Sequence, residues 1–413
     1  MRGAGDEMQI GERIAFHRQR RGYTRSQLAG LVGRSTDWLS KIERGDRQIR
    51  RVDLLTEIAG ALRVTLGALM GEPALPEDGE ERDDVPAVRD ALMAPGRLSR
   101  LLFAETAATP SPDLQRSEQL VEFLWADYQR GRIGQVVEHL PRLIRGAQRL
   151  EGVAPDAVGD DRRRSWAVSA RIHHLAATTL SKVGEADLSW IAAERAMTAA
   201  DEADDPLVLA SAARAATHAL LAVGRYDDAL SLGETASRWL DPQVAAGDPN
   251  AVSLLGMLYL RTAVAAARRQ DRRSANELLG LAERSAARLG ADANHWQTGF
   301  GPTNVELHRL SAGLDLGDVA WVAQRGRTVD VAHLPIERQV THMIDVARAL
   351  AALTRDDDAV SLFLEAEQAA PALVRHSAVV RATARTLYRR APVTAGSRSS
   401  RLLGLAQRCR AIR

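Results

Sequence analysis

TRSQLAGLVGRSTDWLSKIER, residues 24–44, reads as two short helices joined by a tight turn. Thr24 is a good N-cap, because its hydroxyl accepts from the orphan amides of the helix that follows. Leu28, Ala29 and Val32 recur at helical spacing and form one apolar face, with Ala29 small where a second helix must cross closely. Gly33 follows the last apolar residue, where a left-handed residue ends a helix without a Cβ clash. Ser35 is the next N-cap, and Leu39 and Ile42 form the inward stripe of the second helix. Its outward positions are Thr36, Asp37, Ser40, Lys41 and Arg44.

The flanks extend this pattern. Residues 10–21 form an amphipathic basic helix with Ile10, Ile14 and His17 turned inward. Residues 52–62 (VDLLTEIAGAL) form another, and residues 64–70 a short fifth. Five helices in about sixty residues, with polar and basic side chains outside the second of the central pair, suit insertion of that helix into the major groove of DNA. Lys41 can donate to guanine O6 and N7, and Asp37 can accept from the cytosine amino group. Asp37 would be repelled by a phosphate, so it either reads a base or caps its helix, whose positive end also favours an early carboxylate. Trp38 either packs on the preceding helix or touches a thymine methyl or sugar. Arg47, Arg50 and Arg51 read as phosphate clamps.

Residues 9–71 resemble the phage-repressor class of helix-turn-helix domains, the Xre family. The likeness includes the turn Glu43-Arg44-Gly45 and the closing stretch ALRVTLGALM. It implies that residues 35–44 are the recognition helix, with Thr36, Asp37 and Lys41 at base edges and Arg25, Ser40, Arg44 and Arg47 near phosphates. The DNA-facing set is then Arg25, Arg34, Ser35, Thr36, Asp37, Ser40, Lys41, Arg44 and Arg47. The resemblance also implies a pairing of Arg18 with Glu43. Asp37 departs from the pattern, since many relatives carry an amide or a base there.

Charge is unevenly spread along the 413 residues, although the formal net charge is only +2. Residues 9–71 hold twelve Lys/Arg against six Asp/Glu, the asymmetry expected of a nucleic-acid-binding head. Residues 72–90 hold eight acids against two arginines. The whole chain has two lysines, one of which is Lys41. Residues 1–8 read as a flexible N-terminus. Residues 72–95, with Pro73, Pro76 and Pro86, read as an acidic linker in which any helix begins near Val88 or later. The single cysteine, Cys409, provides no internal disulfide and fits a reducing cytoplasm. No signal peptide or apolar run near 18 residues is apparent, so a soluble cytoplasmic protein is expected.

From residue 96 to 413 the chain is rich in Ala and Leu, poor in aromatics, and nowhere alternates like a strand. A recurring unit appears: an apolar helix, a short Gly or charged turn, then an Ala-rich helix. The turns fall near Gly131, Gly184, Gly224, Asp271, Gly317 and Asp356, at spacings of about 53, 40, 47, 46 and 39 residues. In LLAVGRYDDALSLGETA, from Leu220, the residues Gly224, Tyr226 and Ala229 resemble the turn of a tetratricopeptide repeat. The period is longer than that repeat's, so the match is degenerate. The expected fold is all-α: a five-helix head and an α-solenoid whose helical pairs cover one another's apolar faces. Residues 401–412 would form a capping helix behind the loop TAGSRSS.

The arrangement resembles actinobacterial regulators of the Xre type and, in plan, the peptide-pheromone receptors of Gram-positive bacteria. It implies an array that binds a peptide or small-molecule effector and dimerises. Residues 294–308, NHWQTGFGPTNVELH, hold the densest cluster of unusual residue types. Trp296, Phe300, Asn304 and His308 either line an effector pocket, with Asn304 capping the helix that follows, or form a long inter-repeat loop with both aromatics in satellite core. No catalytic or metal site is legible: there is no Gly-rich phosphate loop, HExxH or GxSxG, and His173 and His174 point about 100° apart on a helix. All ten histidines read as surface or packing residues, and no cofactor is expected. Two functions fit: a homodimeric, effector-controlled transcription factor on a pseudo-palindromic operator, or a scaffold whose array docks a partner protein while the head localises it to DNA.

Overall fold

Every regular element among the described residues is helical, apart from one isolated bridge between Ala293 and Phe300. The computed structural model describes residues 10–20, 23–47, 49, 52–62, 85–95, 113–391 and 400–412. The chain divides into two units, Met1–Glu80 and Glu81–Arg413. The expected fifth head helix at 64–70, Arg50, Arg51, residues 1–8, most of the acidic segment and the TAGSRSS loop up to Ser399 lie outside the described residues.

In the first unit, α1 (Ile10–Arg20), α2 (Arg25–Leu31), α3 (Thr36–Glu43) and α4 (Val52–Leu62) surround one small core. Ile14, Leu28, Leu39, Ile42, Ile58 and Leu62 are fully buried in it, each contributing about 1.5–3 kcal/mol on removal from water. Thr24 and Gln27 cap α2 reciprocally, side chain to backbone in both directions. Gly33, at φ 61°, turns the chain into α3, which Ser35 caps through the Trp38 amide at 3.1 Å. α1 crosses α3 so closely that a Cβ on Gly11 would lie 1.9 Å from the Ile42 carbonyl oxygen, so only glycine fits there.

The second unit is an α-solenoid of helical hairpins. Six follow in order: α6/α7 (Leu114–Gln129, Ile133–Val153), α8/α9 (Asp160–Lys182, Ala186–Ala203), α10/α11 (Pro206–Ala222, Tyr226–Trp239), α12/α13 (Pro249–Arg268, Arg272–Leu289), α14/α15 (Pro302–Asp315, Val319–Arg325) and α16/α17 (Ile336–Ala352, Asp356–Ala369). Each turns on one left-handed residue: Gly131, Gly184, Gly224, Gln270, Gly317 and Thr354. After each, the next amide donates back five residues to the first helix, at 2.8–3.0 Å, as in Glu185 to the Leu180 carbonyl. Five residues beyond the turn lies a fully buried contact residue: Val136, Ser189, Ala229, Ala275, Val322 or Ala359. The turns read at Asp271 and Asp356 therefore pivot on Gln270 and Thr354, which hold the left-handed position without being glycine.

The array curls until its ends meet. A Cβ on Gly131 in the first turn would lie 2.8 Å from the Cβ of Ala370, and Lys182 of the second hairpin bonds Glu337 of the sixth at 2.7 Å. α18 (Ala378–Arg390) and α19 (Ser400–Arg408) follow and pack on each other. α12 is the one described helix long and apolar enough to cross a membrane, and it is buried between neighbouring helices here.

One boundary is corrected. The linker reading fails over its end, where α5 (Val85–Leu92) buries Val88, Ala91 and Leu92 in the core of the array. Arg89 bonds Glu185, and Gln148 donates to the Ala91 carbonyl. Its stripe is only two turns long, and Pro86, which suits a first helical turn, reads equally well as a loop residue.

Candidate DNA-binding face and interior cavity

α3 owes its fixed pose to a buried ion pair. Arg18 on α1 grips Glu43 with two bonds, at 2.5 and 3.0 Å, and Arg25 adds a third at 2.7 Å. Burial alone would raise the Glu43 carboxyl. The hydrogen bonds from Arg18 and Arg25 outweigh that and hold it below its ordinary value. Arg18 also donates to the Tyr23 carbonyl, so one guanidinium ties α1, the α2 entry and the end of α3 together.

The sequence-predicted DNA set falls on one exposed stretch with differing engagements. Thr36, Asp37, Lys41 and Arg44 project outward from α3, and Ser40 is half-buried. Asp37 and Lys41 pair one turn apart at 2.7 Å, and that bond holds the Asp37 carboxyl below its usual range. Asp37 is thus not the cap; Ser35 is. Arg44 pairs with Asp46 at 3.1 Å. Arg25 spends its Nε on Glu43 and keeps only part of its guanidinium outward. Arg34 lies over the Trp38 ring at 5.9 Å, and Arg47 is exposed beyond the helix. Trp38 itself is half-buried against the head core.

The array encloses a cavity in two connected parts. An inner part is lined by Trp125, Tyr128, His174, Arg214, Gln297 and Glu337 among others, and an outer part of ≈ 1550 Å³, counting its open mouth, by Lys182, Asn304, His308 and Thr341 among others. His218, Arg261 and Arg338 line both. Lys182, Arg214, Arg261 and Arg338 thus share the cavity with Glu337, and Arg268, Arg348 and Asp345 also line the outer part. Glu337 is shared by Lys182 at 2.7 Å and Arg338 at 3.3 Å. Arg214, 6% exposed, has the His174 Nε2 at 3.3 Å and the Trp125 ring at 6.0 Å. Burial first, then the neighbouring arginines, push Arg214 down to about 9 and Arg261 to about 10. His174, His218 and His308 are driven well below their ordinary value, by burial first and then by those same cations. His174 donates from Nδ1 to Ser211 and accepts at Nε2 from Arg214, which fixes the neutral tautomer.

The expected effector residues divide. Asn304 and His308 line the outer cavity. Phe300 does not: it is 0% exposed, its ring pressed under Gly256, where a Cβ would lie 2.0 Å away. Trp296 lines neither part and stacks under Arg171 at 5.5 Å. Nor does Asn304 cap a helix. α14 begins at Pro302, so Asn304 lies inside it, donating to the Gly299 carbonyl at 2.9 Å. Asp292 supplies the cap instead, accepting from the Thr303 amide and hydroxyl at 3.0 and 2.6 Å. Residues 294–299 reach across to α6, where Asn294 and Gln129 exchange two 2.9 Å bonds and Gln297 donates to Glu122. Trp296 and Gln297 hold left-handed φ values of 50° and 52° there, a strained pair beside the cavity.

Sequence reasoning missed Arg214, Arg261, Arg338, Lys182 and Glu337. The available signal was an arginine in the interior of an apolar helix: Arg214 in PLVLASAARAATHALLA and Arg261, well before the terminal Arg268, in PNAVSLLGMLYLRTAVAAAR. An arginine buried there needs a reason.

A helix-turn-helix domain family matches residues 9–70. No curated protein matches the chain. Among similar solved structures, aspartyl phosphate phosphatase F from Bacillus subtilis shares 13% identity at a TM-score of 0.43, over 92% of this chain and 97% of that one. PlcR of Bacillus thuringiensis, in complex with the peptide PapR7 and DNA, shares 15% at 0.29, over 68% and 95%. The apo form of the competence regulator ComR from Streptococcus vestibularis shares 13% at 0.29, over 74% and 97%.

Proposed function

We propose that this chain is a sequence-specific DNA-binding transcriptional regulator of the Xre type. It works as a cytoplasmic homodimer on a pseudo-palindromic operator, without catalysis, under the control of a peptide or small effector held in the helical array. One observation carries the reading: α3, capped by Ser35 and locked by Glu43, presents Thr36, Asp37 and Lys41 outward within a matched helix-turn-helix domain. Such a helix fits the major groove, with its early residues at base edges. The Asp37–Lys41 pair offers an acceptor and a donor side by side, which suits a cytosine amino group and the guanine O6/N7 edge. Arg34, Arg44 and Arg47 flank them at positions suited to phosphates.

The test is selection of genomic fragments by the purified full-length chain at about 150 mM salt, where the electrostatic background is already weak. An enriched inverted repeat, relaxed at one base position of each half-site with Lys41→Ala, is the expected result. Sequence-blind binding, together with a protein partner captured without DNA, would replace this reading by that of a docking scaffold.

A further inference from the structure

The interior of the array holds more positive charge than its own acids answer. Glu337 serves both Lys182 and Arg338, which leaves Arg214 and Arg261 without a carboxylate among the described residues. The Arg261 Nε is buried with no hydrogen-bond partner, as is the Asn304 Oδ1 on the outer cavity. The other ionisable groups cannot help. His174, His218 and His308 are neutral, Tyr128 is held protonated by burial, and the remaining acid and bases of the outer wall answer one another or nearby acids, Asp345 with Arg348 and Arg268 with Asp315. A buried charge costs several kcal/mol unless paired, and an arginine does not readily shed its proton. Cations gathered in one cavity around a single shared carboxylate, with Arg261 opening onto its wide outer part, form a cradle for an anion.

We propose that the cavity binds a small organic ligand through an anionic head, a phosphate or carboxylate, seated where the two parts join, on Arg261 and Arg338, with Arg214 on the inner side and Lys182 on the outer. Guanidinium forks match both oxyanions bidentately. Thr178 and Tyr128 line the inner part as neutral polar residues, beside Gln129 and Gln297 whose amides are held by Asn294 and Glu122, while Trp125 gives one apolar wall. The rest of the ligand extends toward the wider outer part past His308 and Leu307. This deepens the effector reading above by naming the group the array would recognise, and it is testable without DNA.

The experiment is thermal melting and calorimetric titration of the full-length protein with inorganic phosphate and with succinate, at constant ionic strength against chloride. A saturable rise in Tm with at least one of the two is expected, and the better of them identifies the head group. Arg261→Gln should weaken that binding by about tenfold or more, the loss of one charge-assisted bond. Its ligand-free melting temperature should hold or rise, because an uncompensated charge has been removed. No saturable effect from either anion, or undiminished binding in Arg261→Gln, overturns the proposal. Operator binding measured in parallel keeps the readings apart: its absence would sink the regulator reading while leaving anion binding as measured.

Discussion

Glu43 is where one side chain does most for the head. Replacing Arg18 by Ala strands a buried carboxylate, and breaking a buried pair costs about 3–5 kcal/mol, with Arg25 softening the loss toward the lower end. Chemical denaturation of the wild type and Arg18→Ala checks this; equal midpoints would contradict it. Because Glu43 is held below its ordinary value when folded, its contribution is present above the unfolded carboxylate range and fades as pH falls through the folded value. Glu43→Gln should flatten the acid limb of the head's stability profile. Lys41→Ala should relax specificity at one base position at a cost of about 1–3 kcal/mol. Equal loss on every sequence, read by fluorescence anisotropy on an operator panel, would reassign Lys41 to phosphate. At this scale the local signals were legible: the Ser35 and Thr24 caps act on amides within three residues, so sequence carries them whole. The Asn304 cap was misread because its competitor, Asp292, lies eleven residues back and is delivered only by the loop.

Six hairpins share one turn geometry, yet only four place glycine at its left-handed residue. Thr354 is β-branched, exposed and at φ 60°, a conformation unfavourable for such a side chain. Thr354→Gly should stabilise the array by up to about 1 kcal/mol, since the left-handed penalty exceeds glycine's entropic cost. Gln270→Gly should gain less, because Gln270 also donates to the Asp315 carbonyl of the next hairpin at 2.8 Å. Calorimetric melting of both variants checks the order. The repeat was readable because apolar periodicity and glycine recur at each turn. Where Gln270 and Thr354 replace glycine, the eye slides to the charged residue that follows. α5 starts at Val85, ahead of the Val88 start that sequence allowed, because three buried residues make too short a stripe to stand out beside an acidic, Pro-containing run.

For the molecule as a whole, the proposed dimer makes a stoichiometric prediction. Sedimentation with a recovered operator should give two chains per site, with half-sites separated by whole helical turns. One chain per site would rule out the symmetric reading. The cavity was the least legible feature, since Arg214, Arg261 and Glu337 are far apart in sequence and meet only because the array curls. Phe300 shows the converse: of its two sequence readings, ligand contact or satellite core, the fold takes the second and fills the space under Gly256 with its ring.

The two lysines of the chain stand on its two surfaces of interest, Lys41 on α3 and Lys182 in the cavity wall. Growth on lysine isotopically labelled at the ε-carbon would therefore yield a two-signal magnetic resonance spectrum, one signal from each surface. The cavity amine, pulled below its ordinary pKa chiefly by burial, should resolve from the exposed one by its titration. A small molecule that enters the array should shift the Lys182 signal. Whether the Lys41 signal moves with it would report communication between the two units directly, with no nucleic acid in the tube.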